Sequence, residues 1–443
     1  MRYDVDELPL IHIEFSTGAE EQAPLTRSPE PILAPSNFNA SSSFASNSAN
    51  LDLIRSVAVL SVFFAHLHYL INGGRRTWLG EHFAQMGVLI FFVHTSMVLM
   101  LSLERARLEG KALFVSFYVR RLFRIFPLAM FCVTAAMLLC RAPDVMNPVR
   151  HWSLTQYLAN LSLTTNLTMT ETMVGGLWTL PIEVQMYAAL PFLFVIGRSR
   201  LRGALYLVCI VWMFSIPVAI MQLHTTARLS VLAFAPCFIA GVIAWKLSHS
   251  VKRHLAGSLW PFGFIATWPV FLLATDAGMM YFRWVYCLVL AIAMPWFQEI
   301  SHRPIKIVTQ TIAKYSYGIY LTHWAIIMWC FALPISTAIK WGTFVLLATI
   351  APVAAYHLIE HPLVRVGHCI AEALLKKSAN ATNATKAADS HLSIETPGDS
   401  LDDRRGRSEP VHVQRCTSPI SCQTRVTDTG GSDKTARDAG RET

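Results

Sequence analysis

Charge is what this chain is short of. Only 15% of its 443 residues are Asp, Glu, Lys or Arg, whereas 53% are hydrophobic, and the mean hydropathy is +0.41. Soluble globular chains carry about a quarter charged residues, so a soluble fold is excluded and a polytopic membrane protein is expected. Paired cysteines are missing as well. Six of the nine cysteines (Cys132, Cys140, Cys209, Cys237, Cys287 and Cys330) lie inside apolar runs, with no C-x-x-C pair and no zinc-like Cys/His spacing. They read as small buried hydrophobes, so neither a metal site nor a structural disulfide is expected. No internal repeat is evident, and the polar, acidic first fifty residues do not have the basic-then-apolar form of a signal peptide. The net charge of +9 is not a nucleic-acid signature, because the basic residues fall between apolar runs as they do in cytoplasmic loops. No nucleic-acid partner is expected.

What is present is a long apolar region between two polar tails. Residues 1–50, rich in Ser, Asn, Pro and acidic groups, read as a disordered leader, and residues 366–443 as a disordered tail. Between them, residues 51–365 form the expected membrane domain. A bilayer helix needs roughly 20 mostly apolar residues. That length selects ten segments: 52–71, 83–103, 124–141, 179–197, 202–222, 229–247, 258–275, 280–298, 313–333 and 340–360. The predicted fold class is therefore all-α and polytopic, with about ten transmembrane helices. The even-numbered loops hold most of the basic residues, including Arg105, Arg120, Arg121, Lys252, Arg253 and Arg303. By the positive-inside rule those loops and both termini are cytoplasmic, although the pair Arg75–Arg76 runs against it. The longest outer connection, 142–178, carries Trp152, Tyr157 and Trp178 and is placed to cover an outer mouth. Sequons at Asn160 and Asn166 in it would accept glycans in a glycosylating host.

Ionisable residues inside apolar spans are costly and mark candidate sites. The first span, Leu51 to Leu70, carries Asp52, Arg55, His66 and His68. At 1.5 Å per residue, Arg55 and His66 stand about 16–17 Å apart on nearly one face. The plain alternatives are a snorkelling anchor for Arg55 and an interhelical hydrogen bond for His66. Arg121 and Arg124, three apart on one face, suit the oxygens of a phosphate, and equally suit positive-inside anchoring. Glu183 falls inside the fourth span, where it orients His66 or Arg55 or forms a structural tie. Tyr317, Tyr320 and His323 recur every three residues, as a core stripe also would. Glu360 and His361 read as helix-end chemistry, and His94 as a buried polar contact.

In order along the chain, these stretches resemble the acyltransferase 3 family of integral membrane acyltransferases. Arg55 and His66 match its Arg-ten residues-His pattern, and Arg121, Arg124 and Pro127 match its Arg-x-x-Arg motif. Trp178, Thr179, Leu180 and Glu183 match Trp-Ser/Thr-Leu-x-x-Glu. Ser316, Tyr317, Tyr320, Leu321 and His323 match the late Ser-Tyr-x-x-Tyr-Leu-x-His motif, and Ile359, Glu360 and Pro362 the terminal Ile-Glu-x-Pro. One departure stands in the second span, where His94, Thr95 and Ser96 replace the family's Ile, Ser and Gly. It bears on substrate choice more than on reaction class.

The resemblance implies an enzyme transferring acyl groups other than amino-acyl groups, by O-acetylation of a cell-surface polysaccharide, a glycolipid or a related small glycoside. Its co-substrate would be acyl-CoA, most simply acetyl-CoA, with no tightly bound cofactor, in a bacterial inner or plasma membrane. His66 would be the general base or carry the acyl group briefly. Arg55 would bind donor phosphate or stabilise developing charge. Glu183 would set the tautomer of His66, and Arg121 and Arg124 would hold the CoA phosphates. Trp178, Tyr317 and His323 would contact substrate. The competing class is a proton-coupled transporter, which buried His, Glu and Arg also suit. Matching broken helices in two halves would favour it, and none are evident. A third class is a lipid-binding regulator without turnover.

Overall fold

The computed structural model describes residues 48–139, 152–198, 203–225, 228–272 and 279–392. It opens with α1 (Ala49–Ile71), α2 (Trp78–Ala106) and α3 (Gly110–Leu139), followed by the short α4 (Leu154–Leu161) and α5 (Thr165–Thr168). Then come α6 (Thr179–Gly197), α7 (Ala204–Thr225), α8 (Ser230–Ser250), α9 (Trp260–Ile265), α10 (Trp268–Leu272) and α11 (Met279–Ala293). The last three are α12 (Arg303–Ala332), α13 (Thr337–Ala355) and α14 (His361–Leu392). The described residues contain no strand, only an isolated bridge between Leu255 and Phe297. All-helical architecture is what a bilayer demands, because a helix satisfies its backbone hydrogen bonds within itself.

Seven helical stretches among the described residues are long and apolar enough to cross a membrane, not ten. The other three expected spans fall on 257–272, on 281–296 and on α12. Proline divides the first of these: Pro261 starts α9, Pro269 stands in α10, and Thr267 lies between the two helices. In α12 the first half carries Arg303, Lys306 and Lys314, which lowers its hydropathy. At the far end, α14 runs through the expected boundary at 366 to Leu392. The chain divides into units 1–382 and 383–443, and of the second only residues to Leu392 are described. The expected leader up to residue 47 and the tail beyond 392 lie outside the described residues.

Local chemistry starts the helices where they start. Ser48 caps α1 by accepting from the Leu51 amide at 3.3 Å, and Thr77 caps α2 by accepting from Gly80 at 3.1 Å. The second helix is apolar all round and is the most buried of the candidate spans, the pattern of a central helix. It packs between α1 and α8 with small residues at both contacts. A Cβ on Gly87 would lie 2.6 Å from the Ala58 carbonyl of α1, and one on Gly241 of α8 would lie 1.9 Å from Ser96 Oγ. The close approach that a glycine at 96 would permit is thus supplied by the glycine on the facing helix, leaving room for a serine hydroxyl. On the outside, Tyr206, Ile210, Met213, Phe214 and Met221 of α7 stay exposed, a band suited to lipid rather than water.

Gly241→Val should therefore lower the thermal midpoint of the detergent-solubilised protein, by overpacking worth about 1–3 kcal/mol or more. Gly342→Ala, whose Cβ meets nothing within 4 Å, should leave it unchanged. A melt in which both variants match wild type would disprove this packing.

Candidate active site

The polar residues of the first span divide between two cavities. Arg55 opens into a cavity of about 320 Å³ that is also lined by Arg105, Arg120, Arg121, Arg124 and Glu183. Three turns along α1, His66 opens into a second cavity of about 470 Å³ beside Trp178, Trp324, Gln85 and Glu81. Arg55 and His66 therefore line different cavities.

Five arginines and one carboxylate among its lining residues make the first cavity strongly cationic. Arg124 pairs with Glu360 at 3.2 Å, and Glu360 is only 2% exposed. That glutamate belongs to the π-helical turn Tyr356–Glu360 joining α13 to α14, so it is a buried ion-pair partner and not the helix-end feature expected. Glu183 accepts a hydrogen bond from the Tyr187 hydroxyl one turn on. The Nε atoms of Arg120 and Arg121 are buried without a hydrogen-bond partner. Unmet guanidinium donors in a cavity with surplus positive charge fit an anion with several oxygens, as in a phosphate ester.

Glu183 does not orient His66. His323 does, through a 2.7 Å contact between its Nε2 and His66 Nδ1, with the two rings 5.0 Å apart and 3° from parallel. His323 Nδ1 faces two backbone carbonyls, Ile319 at 3.0 Å and Tyr320 at 2.8 Å. A nitrogen facing only acceptors must carry the proton. In neutral His323 the lone pair is then on Nε2, and His66 must donate to it from Nδ1. The partners thereby assign His66 a bare Nε2, the form a general base requires. Trp324 meets the His66 ring edge-on at 4.8 Å. The chain lies flat on Trp324 at Gly175, where a Cβ would fall 2.9 Å from the indole, and the turn Gly175–Trp178 carries Trp178 to the cavity wall.

The period-three stripe of α12 runs from the arginine cavity to the partner of His66. Tyr317 donates to the Ile125 carbonyl at 2.7 Å in the arginine cavity, and Tyr320 bonds the Thr179 hydroxyl at 2.6 Å. One turn further stands His323. These residues are wall and support as much as core. Trp178 lines the histidine cavity and Tyr317 the arginine cavity, whereas His323 lines neither and holds His66. His94, whose side chain is buried, lines the arginine cavity with Arg55, so the departure from the family pattern sits in that cavity. Tyr187, four residues after Glu183, was detectable from helical spacing. Arg105 and His368 had no such signal.

Residues 140–151 of the outer connection lie outside the described residues. The remainder folds around Asn160, which is 1% exposed, donates to Gln156 and Glu171 carbonyls and accepts from the Met173 amide. Asn166 exchanges hydrogen bonds with Gln185 at 2.8 and 3.1 Å. Both sequon asparagines are thus structural.

Solid-state ¹⁵N NMR of histidine-labelled protein should show His66 as the single Nδ1–H tautomer. In His323→Phe protein both tautomers should appear. An Nε2–H signal for His66 in wild type would overturn the assignment.

A family model described as an acyltransferase domain matches residues 48–357, which include every residue lining the two cavities except Val364 and His368. No curated protein and no solved structure matches the chain.

Proposed function

The chain belongs to the acyltransferase 3 family, and from that premise we propose that it moves an acyl group from acyl-CoA to a hydroxyl of a carbohydrate or glycolipid. That it is a multi-pass membrane protein with an acyltransferase domain follows from its helices and the match. The donor, acceptor and residue roles are our reading. One observation carries it: a single helix, α1, presents Arg55 to a cationic cavity and, three turns on, a histidine whose Nε2 is bare.

On this reading the donor phosphates lie among Arg55, Arg121 and Arg124, and the thioester arm extends past Thr179 and Tyr320 toward His66. The acceptor hydroxyl gives its proton to His66 Nε2 as its oxygen attacks the thioester carbonyl. A C–O bond forms, the C–S bond breaks, and the proton passes from His66 to the departing sulfur. The imidazolium formed in between donates from Nδ1 to His323, whose own proton is held by two carbonyls. That stabilises the cation without a carboxylate beside it. Trp178 offers an apolar ring face beside His66, suited to a sugar. With the basic loops inside, the arginine cavity faces the cytoplasm, where acyl-CoA is found, and both termini lie there too. Acetyl is the simplest group to transfer, and a bacterial inner membrane the simplest setting.

The test is transfer from radiolabelled acetyl-CoA in membranes, with lipid and polysaccharide fractions as acceptors. Wild type should label a glycan or glycolipid, and His66→Ala should lose about 10²–10⁴-fold in rate, the usual worth of a positioned base. Arg124→Ala should instead raise KM for the donor. Full-rate transfer by folded His66→Ala protein would sink the mechanism. Solute flux without transfer from any acyl-CoA would return the protein to the transporter class.

A further inference from the structure

Two residues lining the arginine cavity, Val364 and His368, come from α14, beyond the matched stretch that ends at 357. Their placement is built in. A Cβ on Gly367 would fall 2.5 Å from Phe123 Cβ, so α14 meets α3 with no side chain between them. That contact sets His368 one residue from the closest approach and turns it into the cavity beside Arg120. His368 and Arg105 are both exposed, and Arg105 is the penultimate residue of α2, so they mark the mouth.

The cationic groups thus fall in two tiers. The inner tier of Arg55, Arg121 and Arg124 is partly neutralised by Glu183 and Glu360. In the outer tier, neither Arg105 nor Arg120 takes part in an ion pair among the described residues, and Arg120 Nε is buried without a hydrogen-bond partner. An acyl-CoA carries phosphate at two places: a diphosphate next to the pantetheine arm, and a 3′-phosphate on the ribose at the far end. With the thioester turned toward His66, the ribose phosphate is the last group to enter.

We propose that Arg105, Arg120 and His368 form an outer phosphate subsite that takes the donor's 3′-phosphate, making α14 part of the donor site. This rests on the acyl-CoA reading above. A lipid phosphate presents the same chemistry, and the experiment separates the two.

The measurement is KM for acetyl-CoA and for acetyl-3′-dephospho-CoA, in membranes carrying the full chain. Wild type should favour the 3′-phosphorylated donor. His368→Ala should raise KM for acetyl-CoA by about five- to tenfold, the scale of one lost charge-assisted hydrogen bond at a wet site. KM for the dephospho donor should move less than twofold, and His368→Arg should restore the discrimination. Equal shifts for both donors, or none, would overturn the subsite. If His368→Ala changes neither KM but removes a dependence on phosphatidylglycerol over phosphatidylcholine in proteoliposomes, the group is a lipid ligand and the proposal is wrong. If wild type transfers from neither donor, the acyl-CoA reading itself fails and takes the subsite with it.

Discussion

A histidine inside a bilayer-spanning bundle has to find its hydrogen-bond partners within the protein, since lipid offers none. His66 meets that requirement through His323, and His323 meets it through the carbonyls of Ile319 and Tyr320. Those carbonyls belong to the preceding turn of α12, so they are in place whenever the helix is. The direction of every proton in the chain follows from them. Backbone oxygens cannot give up a proton, His323 Nδ1 must therefore hold one, and the lone pair left on its Nε2 compels His66 to present Nε2 outward. Rigid backbone acceptors do here what a carboxylate does beside many catalytic histidines, without adding a buried charge of their own.

The arginine cavity solves the opposite problem. Five arginines line it, and burying charge is costly. Arg124 is matched by Glu360, and Glu183 is held by the Tyr187 hydroxyl at the same cavity. Glu360 reaches Arg124 from a π-turn, a local widening of the helix that recurs at functional sites. What is left is a surplus of guanidinium groups with unmet donors, held by packing at a distance from the histidine. Because the two cavities sit at different depths of α1, an acyl donor that engages both must be long and must carry its charge at one end. Acyl-CoA has that shape.

Tyr320 and Thr179, hydrogen-bonded to each other through their hydroxyls, both line the arginine cavity. Tyr320 is used twice: its hydroxyl closes the arginine cavity and its carbonyl holds His323. Any movement of α12 at Tyr320 would therefore also shift the support of His66. Gly87 and Gly241, which let α2 sit tightly between α1 and α8, keep α1 at the depth where both cavities can be served.

The apolar runs and their loop charges determined a helical, multi-pass chain, because hydropathy over about 20 residues is a local property of sequence. The residue types at fixed spacing, Arg55 with His66 and Arg121 with Arg124, likewise announced two sites on particular helices. The count of spans was less legible: prolines stand in the segment that folds as the two short helices α9 and α10. Only the tertiary structure decided which polar groups meet. Glu183 is the nearest candidate to orient His66 when motifs are compared, yet the partner is His323, 257 positions along the chain. His368 carries no apolar period and no motif, and Gly367 against Phe123 is what brings it to the cavity. Pairings of this kind depend on which helix faces which and at what depth, and that is set by close packing between distant segments, which no window of sequence contains.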